Sequence, residues 1–224
     1  MADIFEEVES DLRAERARVL LQRYGKFGVA AVVLIVLGVA VWQGMAWLRA
    51  REMARVATAY FAATQEAQAT TPAGAGNSKA EADFARLAGN NTPAGYRTLA
   101  RLRAAALAAG AGQKTLALKL WQEVAEDSNA DPLLRGLGRL LWVTHQIDGV
   151  KSPATAKPLE AELAPLLAAG NPWQPLAEEA SALIALASGE TAAAQKTLTA
   201  LEGDPMAPEG VRRRAAALLA RISE

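Results

Sequence analysis

The sequence predicts an all-α protein in three parts: an amphipathic N-terminal helix over 1–26, one transmembrane helix over 27–48 and a helical domain over 49–224. Three observations support this prediction. One apolar segment is long enough to cross a bilayer, alanine makes up close to a quarter of the chain, and Asp-Pro or Asn-Pro pairs recur where helices would begin. Alanine has the highest helix propensity, and the strand-favouring residues Val, Ile and Thr are sparse after residue 60.

The apolar segment reads KFGVAAVVLIVLGVAVWQGMAWLR, and its 22 residues from Phe27 to Leu48 would form a helix about 33 Å long. The hydrocarbon core of a bilayer is about 30 Å thick. Only Gln43 is polar in this run, so the core helix of a soluble protein is disfavoured. A cleaved signal peptide is also disfavoured, because the preceding segment is long and acidic and the apolar run exceeds the usual length. The segment therefore predicts a permanent anchor.

Basic residues on the two sides of the apolar segment predict its orientation. Five precede it and three follow it closely, and the richer side stays in the cytoplasm. We therefore expect the N-terminus in the cytoplasm and the C-terminal domain across the membrane, which in a bacterium is the periplasm. The eight residues are Arg13, Arg16, Arg18, Arg23 and Lys26 on the N-terminal side, and Arg49, Arg51 and Arg55 on the other.

Ala40 and Gly44 lie four residues apart in the apolar helix and form a pair of small residues that lets a second helix approach closely. Gln43 lies on nearly the same turn and can hydrogen-bond to such a neighbour. We therefore interpret Ala40, Gln43 and Gly44 as a candidate helix contact within the membrane. The alternative is that Gln43 lies at the outer interface beside Trp42 and Trp47, where polar tips are tolerated.

The N-terminal helix carries an apolar stripe, since Ile4, Val8 and Leu12 recur every four residues. Acidic residues fill its first half and arginines its second, which suits the helix dipole and solubility. The stripe also fits a helix that lies on the inner leaflet or against a cytosolic partner. We favour this second interpretation, because so short a segment has no core of its own to pack against.

Helix-start signals and breaks divide the rest of the chain into short helices. Asp131, Asn171 and Asp204 each precede a proline and are expected to cap a helix at its N-terminus. The segments 70–79 and 89–95 are rich in glycine, proline and asparagine, so they are expected to be flexible breaks.

These signals predict nine helices after the anchor. Pro165 is expected to bend or end its helix early. The predicted helices span 50–68, 80–88, 93–109, 113–127, 132–147, 153–168, 172–187, 190–202 and 207–222.

Two glycines 77 residues apart, Gly112 and Gly189, lie within the same pattern. An alanine follows each by five residues, a large apolar residue follows by nine, and small residues precede at matching positions. Small residues let the two helices of an antiparallel pair approach closely, while the large residue fills the gap beyond the turn. The matched residues are Ala104, Ala105, Ala108, Ala117 and Trp121 around the first glycine, and Ser181, Ala182, Ala185, Ala194 and Leu198 around the second.

This pattern resembles the tetratricopeptide repeat, which implies a solenoid of helical hairpins. A middle unit, LLWVTHQIDGVKSPATAKPLEAEL, keeps Gly149 and Ala154 at the corresponding positions but has Pro158 where a large apolar residue is expected. An antiparallel helical bundle outside this family is the alternative.

The order of the segments resembles a bacterial family of ancillary Sec-translocon subunits typified by YfgM. An acidic and then basic helix, DIFEEVESDLRAERARVLLQRYGKFG, precedes the apolar segment, and AREMARVATAYFAA leads into alanine-rich repeats. The resemblance implies a single-pass protein of the bacterial inner membrane with a periplasmic repeat domain. It also implies association with the SecYEG channel and with a membrane-anchored periplasmic prolyl isomerase.

Residues that carry catalysis or hold cofactors are sparse. The chain has no cysteine and a single histidine, His145, which excludes thiolate chemistry and any site built from two histidines. No glycine-rich phosphate loop occurs. Residues 52–224 carry 17 basic and 18 acidic side chains, so a basic footprint for nucleic acid is absent. We therefore expect a protein that is not an enzyme, with no cofactor, no metal and no nucleic-acid partner.

A partner-binding groove is the remaining candidate site, because repeat solenoids bind other proteins along extended surfaces. Aromatic and arginine side chains dominate such interfaces. Trp173 lies between two prolines at a helix start and is expected to be partly exposed, whereas Trp121 is expected to be buried. The candidate groove residues are Trp142, Trp173, Arg135 and Arg139.

Two functions fit these features. The first is a membrane-anchored adaptor or chaperone helper that associates with the Sec translocon and binds unfolded exported chains. The second is a single-pass sensor whose periplasmic domain signals to the cytosolic N-terminal helix. The short cytosolic segment lacks a recognisable output domain, which favours the first.

Overall fold

The structure is a computed structural model that describes residues 3–69 and 75–222, with side chains described over 30–69 and 79–222. Throughout these residues the regular structure is helical, and no strand occurs among them. The prediction of an all-α chain is confirmed. The chain divides into two compact units, Met1–Arg55 and Val56–Glu224.

The first unit consists of the greater part of α1, a helix that spans Asp3–Ala69. The predicted stripe of Ile4, Val8 and Leu12 lies outside the residues with described side chains. From residue 30 to residue 55 every side chain is exposed. Within the described part of the chain, α1 alone is long and apolar enough to cross a membrane, and its most apolar window has a mean hydropathy of 2.1 with no residue buried. An apolar surface of this extent is compatible with a single-pass membrane anchor.

The second unit contains the end of α1 and eight further α-helices within the described residues. Each helix packs against its neighbour in the chain, which is typical of repeat solenoids. The elements are α2 Ala75–Leu87, α3 Ala94–Gly110, α4 Lys114–Glu126, α5 Pro132–Thr144, α6 Pro153–Leu163, α7 Gln174–Ser188, α8 Thr191–Gly203 and α9 Glu209–Ile222, with short 3-10 helices at Ile147–Gly149 and Ala164–Leu166.

The hydrophobic core of this unit consists of successive clusters along the chain rather than one central core. Phe84 is fully buried between α1, α2 and α3, and Trp121 is buried between α3 and α4. Ile184 belongs to a cluster of α5, α6 and α7, and Leu198 belongs to the last cluster, of α7, α8 and α9. Because each cluster involves only adjacent hairpins, stability is distributed hairpin by hairpin.

Eight of the nine predicted helices are confirmed as separate elements, with most ends shifted by three residues or fewer. The ninth, predicted over 50–68, is helical but is not separate, because α1 continues through it from the apolar segment without a break. The predicted linker over 70–79 is partly wrong, because residues 75–79 already belong to α2, and residues 70–74 lie outside the described part of the chain. Lys79 explains part of this difference, since its Nζ lies 2.7 Å from Glu66 Oε1 and holds the start of α2 against α1. The break between α2 and α3 and the early end of α6 before Pro165 are both confirmed.

One of the three predicted caps starts its helix as expected. Asp131 Oδ1 accepts a hydrogen bond of 2.8 Å from the backbone N–H of Leu133, and Pro132 occupies the first position of α5. This arrangement satisfies one of the free N–H groups at the helix N-terminus.

The other two predicted caps, Asn171 and Asp204, form turns ahead of their helices, so the prediction that they cap those helices is wrong. Asn171 Oδ1 accepts from the N–H of Trp173 at 2.9 Å, and Asp204 Oδ1 accepts from the N–H of Met206 at 2.8 Å. These side chains bond to the backbone two residues on, which closes a turn as readily as it starts a helix. The helices begin later, at Gln174 and at Glu209.

The pattern around the two glycines is confirmed. Gly112 and Gly189 have φ angles of +76° and +90°, which an L side chain adopts only with strain. The alanines and large apolar residues predicted around them are buried, including Ala117 and Trp121 after the first glycine and Leu198 after the second. Each glycine therefore ends the first helix of a closely packed hairpin.

The register predicted for the middle hairpin is wrong. Ala154 and Pro158 are exposed, whereas Ala156 and Leu159 are buried in their place. The reason is a longer turn between α5 and α6, in which Thr155 Oγ1 accepts from the N–H of Ser152 at 3.1 Å and starts α6 at Pro153.

The last helix is held by an ion pair. Arg214 donates from Nε and Nη2 to the two carboxylate oxygens of Glu179, each at 2.6 Å. Glu179 is 8% exposed, so its carboxylate depends on this partner. The hydrogen bond to Glu179 raises the pKa of Arg214, and the pair fixes α9 against α7.

Candidate functional site

Three clefts occupy equivalent places on successive hairpins of the second unit. Each is bordered by both helices of one hairpin and by the end of the preceding hairpin. We name them the Arg97 cleft, the Trp142 cleft and the Lys196 cleft, and their volumes are about 410, 250 and 500 Å³. The Arg97 cleft is lined by Asn90, Arg97, Arg101, Glu123, Glu126, Asp127 and Asn129, the Trp142 cleft by Gln122, Ala125, Glu126, Arg139, Trp142 and Glu162, and the Lys196 cleft by Leu167, Glu178, Ser181, Ala193, Lys196, Thr197 and Ala200.

The Arg97 cleft contains a network of charges between α3 and the end of α4. Asp127 Oδ2 accepts from Arg97 Nη2 at 3.0 Å and from Arg101 Nη1 at 3.2 Å. Its other oxygen accepts from the backbone N–H of Asn129 at 3.0 Å. Burial favours the neutral form of this carboxyl, but the N–H of Asn129 and the guanidinium of Arg97 outweigh it and hold the pKa of Asp127 below its ordinary value.

We expect Asp127→Asn to weaken the dependence of stability on acid pH. Because the pKa of Asp127 is lower in the folded state, its carboxylate stabilises the fold above the unfolded-state pKa and loses that contribution as the pH falls through the folded-state pKa. Urea unfolding of the full-length protein in detergent, at neutral pH and below pH about 4, checks this. The variant should be less stable than wild type at neutral pH, and the difference should shrink in acid.

Asp148→Asn is the matched control, because Asp148 is exposed and has no ion pair among the described residues. This variant should keep the wild-type acid dependence. If Asp127→Asn lost stability equally at both pH values, the carboxylate would not be the group that titrates.

The Trp142 cleft brings together two of the four predicted groove residues, Trp142 and Arg139. Trp142 is half-buried and packs against two of the core clusters, so its ring has a fixed place in the cleft. Arg139 Nε lies 3.4 Å from Glu162 Oε2 across the cleft. Glu126 accepts a hydrogen bond of 2.8 Å from Gln122 Nε2.

The two carboxylates of this cleft, Glu126 and Glu162, were not predicted. From the sequence, Glu162 is most simply a solvated residue. The Gln122 and Glu126 pair at a spacing of four residues is the only signal for the other, and it is common on exposed helices.

The other two predicted residues, Trp173 and Arg135, line none of these three clefts. Trp173 is half-buried, and its Nε1 donates to the carbonyl oxygen of Leu133 at 2.9 Å. Its ring lies against Gly136, where a Cβ would come within 2.7 Å of Trp173 Cδ1. Arg135 is half-buried, and its Nε makes no hydrogen bond within the described residues. Trp173 therefore joins α7 to α5.

Trp121 and His145 form part of the wall of a further cleft, of about 420 Å³, near the turn between α3 and α4. Trp121 is 1% exposed, as expected. The centroid of its ring lies 4.2 Å from that of His145, whose Nδ1 is 2.9 Å from the carbonyl oxygen of Leu141. His145 thus covers Trp121 at the end of α5.

The candidate membrane contact is exposed along its length. Ala40, Gln43 and Gly44 have no neighbour packed on them among the described residues, and a Cβ on Gly44 would meet no atom within 4 Å. One turn further on, the guanidinium of Arg51 lies 4.7 Å from the ring centroid of Trp47. Tryptophan side chains are enriched where a helix leaves a bilayer.

Among the residues with described side chains, no group of three or more His, Cys, Asp or Glu side chains could hold a metal ion.

The family of this chain is identified by comparison with known proteins. No curated protein and no solved structure matches the chain significantly. A family described as the tetratricopeptide repeat-like domain matches residues 19–142, which is more than half of the chain. The match begins ahead of the apolar segment and ends in α5, so it includes both the predicted anchor and the first hairpins. It excludes a helical bundle outside the family, and the chain belongs to the tetratricopeptide repeat-like domain family.

Proposed function

We propose that this protein is a membrane-anchored interaction module whose repeat domain binds partner polypeptides along the row of three clefts. The observation that supports this most directly is the equivalence of the clefts, each formed by one hairpin and the end of the one before it. Repeat proteins use extended surfaces of this kind to bind other proteins.

The partners we propose are the SecYEG channel, a membrane-anchored periplasmic prolyl isomerase and unfolded exported chains. The support is the resemblance in the order of segments, from the acidic and basic N-terminal helix through the apolar segment to the repeats. The protein would then lie in the bacterial inner membrane with its N-terminus in the cytoplasm and its repeat domain in the periplasm. There it would act as an adaptor or chaperone helper for proteins that emerge from the channel.

Site-specific photo-crosslinking of the full-length protein in cells tests this proposal. A photoreactive amino acid at Gln122 or at Lys196, both exposed in the clefts, should form adducts with a channel subunit, the prolyl isomerase or exported chains. The same probe at Lys157, which is exposed on α6 but lines none of the three clefts, should give few adducts. Equal adducts from all three positions, or none from the clefts, would contradict the proposal.

A deletion separates this function from the sensor alternative. Removing residues 2–12 deletes the apolar stripe but keeps all five basic residues ahead of the anchor, so the orientation should be retained. The periplasmic adducts should then be unchanged if the protein is an adaptor, because the binding surface lies in the repeat domain. A sensor would instead lose its output and release a cytosolic regulator.

A further inference from the structure

Glu126 stands where the Arg97 cleft and the Trp142 cleft meet, and it lines both of them. The two clefts contain three cationic side chains and four carboxylates. Every cationic side chain has a carboxylate other than Glu126 as its partner. The pairs are Arg97 with Asp127 at 3.0 Å, Arg101 with Asp127 at 3.2 Å and with Glu123 at 3.4 Å, and Arg139 with Glu162 at 3.4 Å.

Glu126 is therefore the carboxylate left over. It has no ion pair within the described part of the chain, and its one side-chain hydrogen bond comes from the neutral amide of Gln122. The three cationic and four carboxylate side chains give the two clefts a net charge of minus one. Glu126 is the carboxylate without a cationic partner among the described residues. A cation brought to this point would meet a carboxylate that no other cation neutralises.

Trp142 lies in the same cleft and supplies the second feature of a cation site. The negative face of an indole ring attracts a Lys ammonium or an Arg guanidinium. The aliphatic part of either side chain can also pack on the ring while the charged end remains in polar surroundings.

The dimensions of the Trp142 cleft favour one side chain over a larger element. One turn of helix, about 10–12 Å across and 5.4 Å long, occupies about 400–600 Å³, whereas this cleft has a volume of about 250 Å³. A metal ion is a poorer occupant, because no group of three potential ligands occurs among the described side chains.

We propose that the Trp142 cleft binds a lysine or arginine side chain of an extended partner polypeptide, with its charged end at Glu126 and its stem over Trp142. The proposal rests on the function proposed above and adds the chemistry of the residue that is recognised. The neighbouring clefts would hold the residues on either side of it.

The test measures binding of short peptide pools to the full-length protein in lipid nanodiscs. Each pool has random flanking residues and one fixed central residue, which is Lys, Arg, Gln or Asp. An exposed ion pair and a cation–π contact together predict that the Lys and Arg pools bind about five- to tenfold more tightly than the Gln pool. The Asp pool should bind most weakly.

Two single-residue variants assign the preference to this cleft. Glu126→Gln removes the charge with little change in shape and should reduce the preference for basic peptides to the part that the Trp142 ring contributes. Glu160→Gln removes the same charge from an exposed position on α6 that lines none of the clefts, and should keep the preference. Circular dichroism of both variants checks that the helical fold is retained.

The possible results separate this inference from the proposed function. If wild type bound all pools equally, or if Glu126→Gln kept the full preference, the basic-residue site would be disproved while peptide binding by the domain would stand. If no pool bound, the binding role of the clefts would be disproved as well.

Discussion

Replacing Trp121 with alanine is expected to lower the free energy of unfolding of the repeat domain by about 3–5 kcal/mol, the usual cost of removing a buried aromatic side chain. Trp121 is 1% exposed and fills the space between α3 and α4, where its neighbours include Ala105, Ala108 and Ala117. The alanine side chains are too short to fill the gap, so the cavity would stay open. Since the free energy of unfolding of a domain is only about 5–15 kcal/mol, this single change removes a large share of it.

Urea unfolding of the full-length protein in detergent, followed by circular dichroism, measures this effect. Leu116→Ala on the same helix is the control, because Leu116 is 39% exposed and its truncation should cost less than about 0.5 kcal/mol. Trp121→Phe should cost much less than alanine, since the buried Nε1 of Trp121 makes no hydrogen bond within the described residues. A loss as small as that of Leu116→Ala would show that Trp121 does not support the hairpin.

Gly138→Ala is expected to destabilise the domain by about 1–2 kcal/mol, although alanine favours helix over glycine by about 1 kcal/mol. A Cβ at this position in α5 would lie 2.9 Å from the carbonyl oxygen of Trp121 and 2.9 Å from Val124 Cγ1 on α4. The backbone of α4 cannot move away without separating the two helices, and overpacking of this kind costs about 1–3 kcal/mol.

Gly95→Ala provides the opposite expectation with the same chemical change. Gly95 lies in the first turn of α3, and a Cβ there would meet no atom within 4 Å. Only the gain in helix propensity remains, so the Gly95→Ala variant should be as stable as wild type or more stable. The same unfolding experiment compares the two variants. Equal changes in stability would mean that α5 does not pack against α4 through Gly138.

The repeat pattern predicts two of the helical hairpins correctly and a third one only in part. Spacing alone predicts the turns at Gly112 and Gly189, because a glycine turn between closely packed helices restricts residues only a few positions away. The same spacing predicts the wrong register for the middle hairpin, since Gly149 resembles a third turn glycine. Its turn is longer, and the pairing of Ser152 with Thr155 that starts α6 is visible only once the backbone has folded.

The candidate site was predicted in part for the same reason. Trp142 and Arg139 lie three residues apart on one helix, so their shared face follows from helical periodicity. Trp173 is also a tryptophan that the sequence predicts in the groove, yet it packs on Gly136 of a different hairpin. Which aromatic side chain lines a cleft depends on how one hairpin stacks on the next, and this stacking is not encoded in local spacing.

The sequence by itself determined the helical class, the apolar segment suited to a bilayer and the alanine-rich hairpins with their glycine turns. These properties follow from composition, from periodicity and from residues within one turn of each other. Only the tertiary structure decided that Asp127 pairs with Arg97, thirty residues away in the chain, and that Glu126 is left without a cation. The charge of a cleft depends on distances between side chains of different helices, and those distances are set by packing.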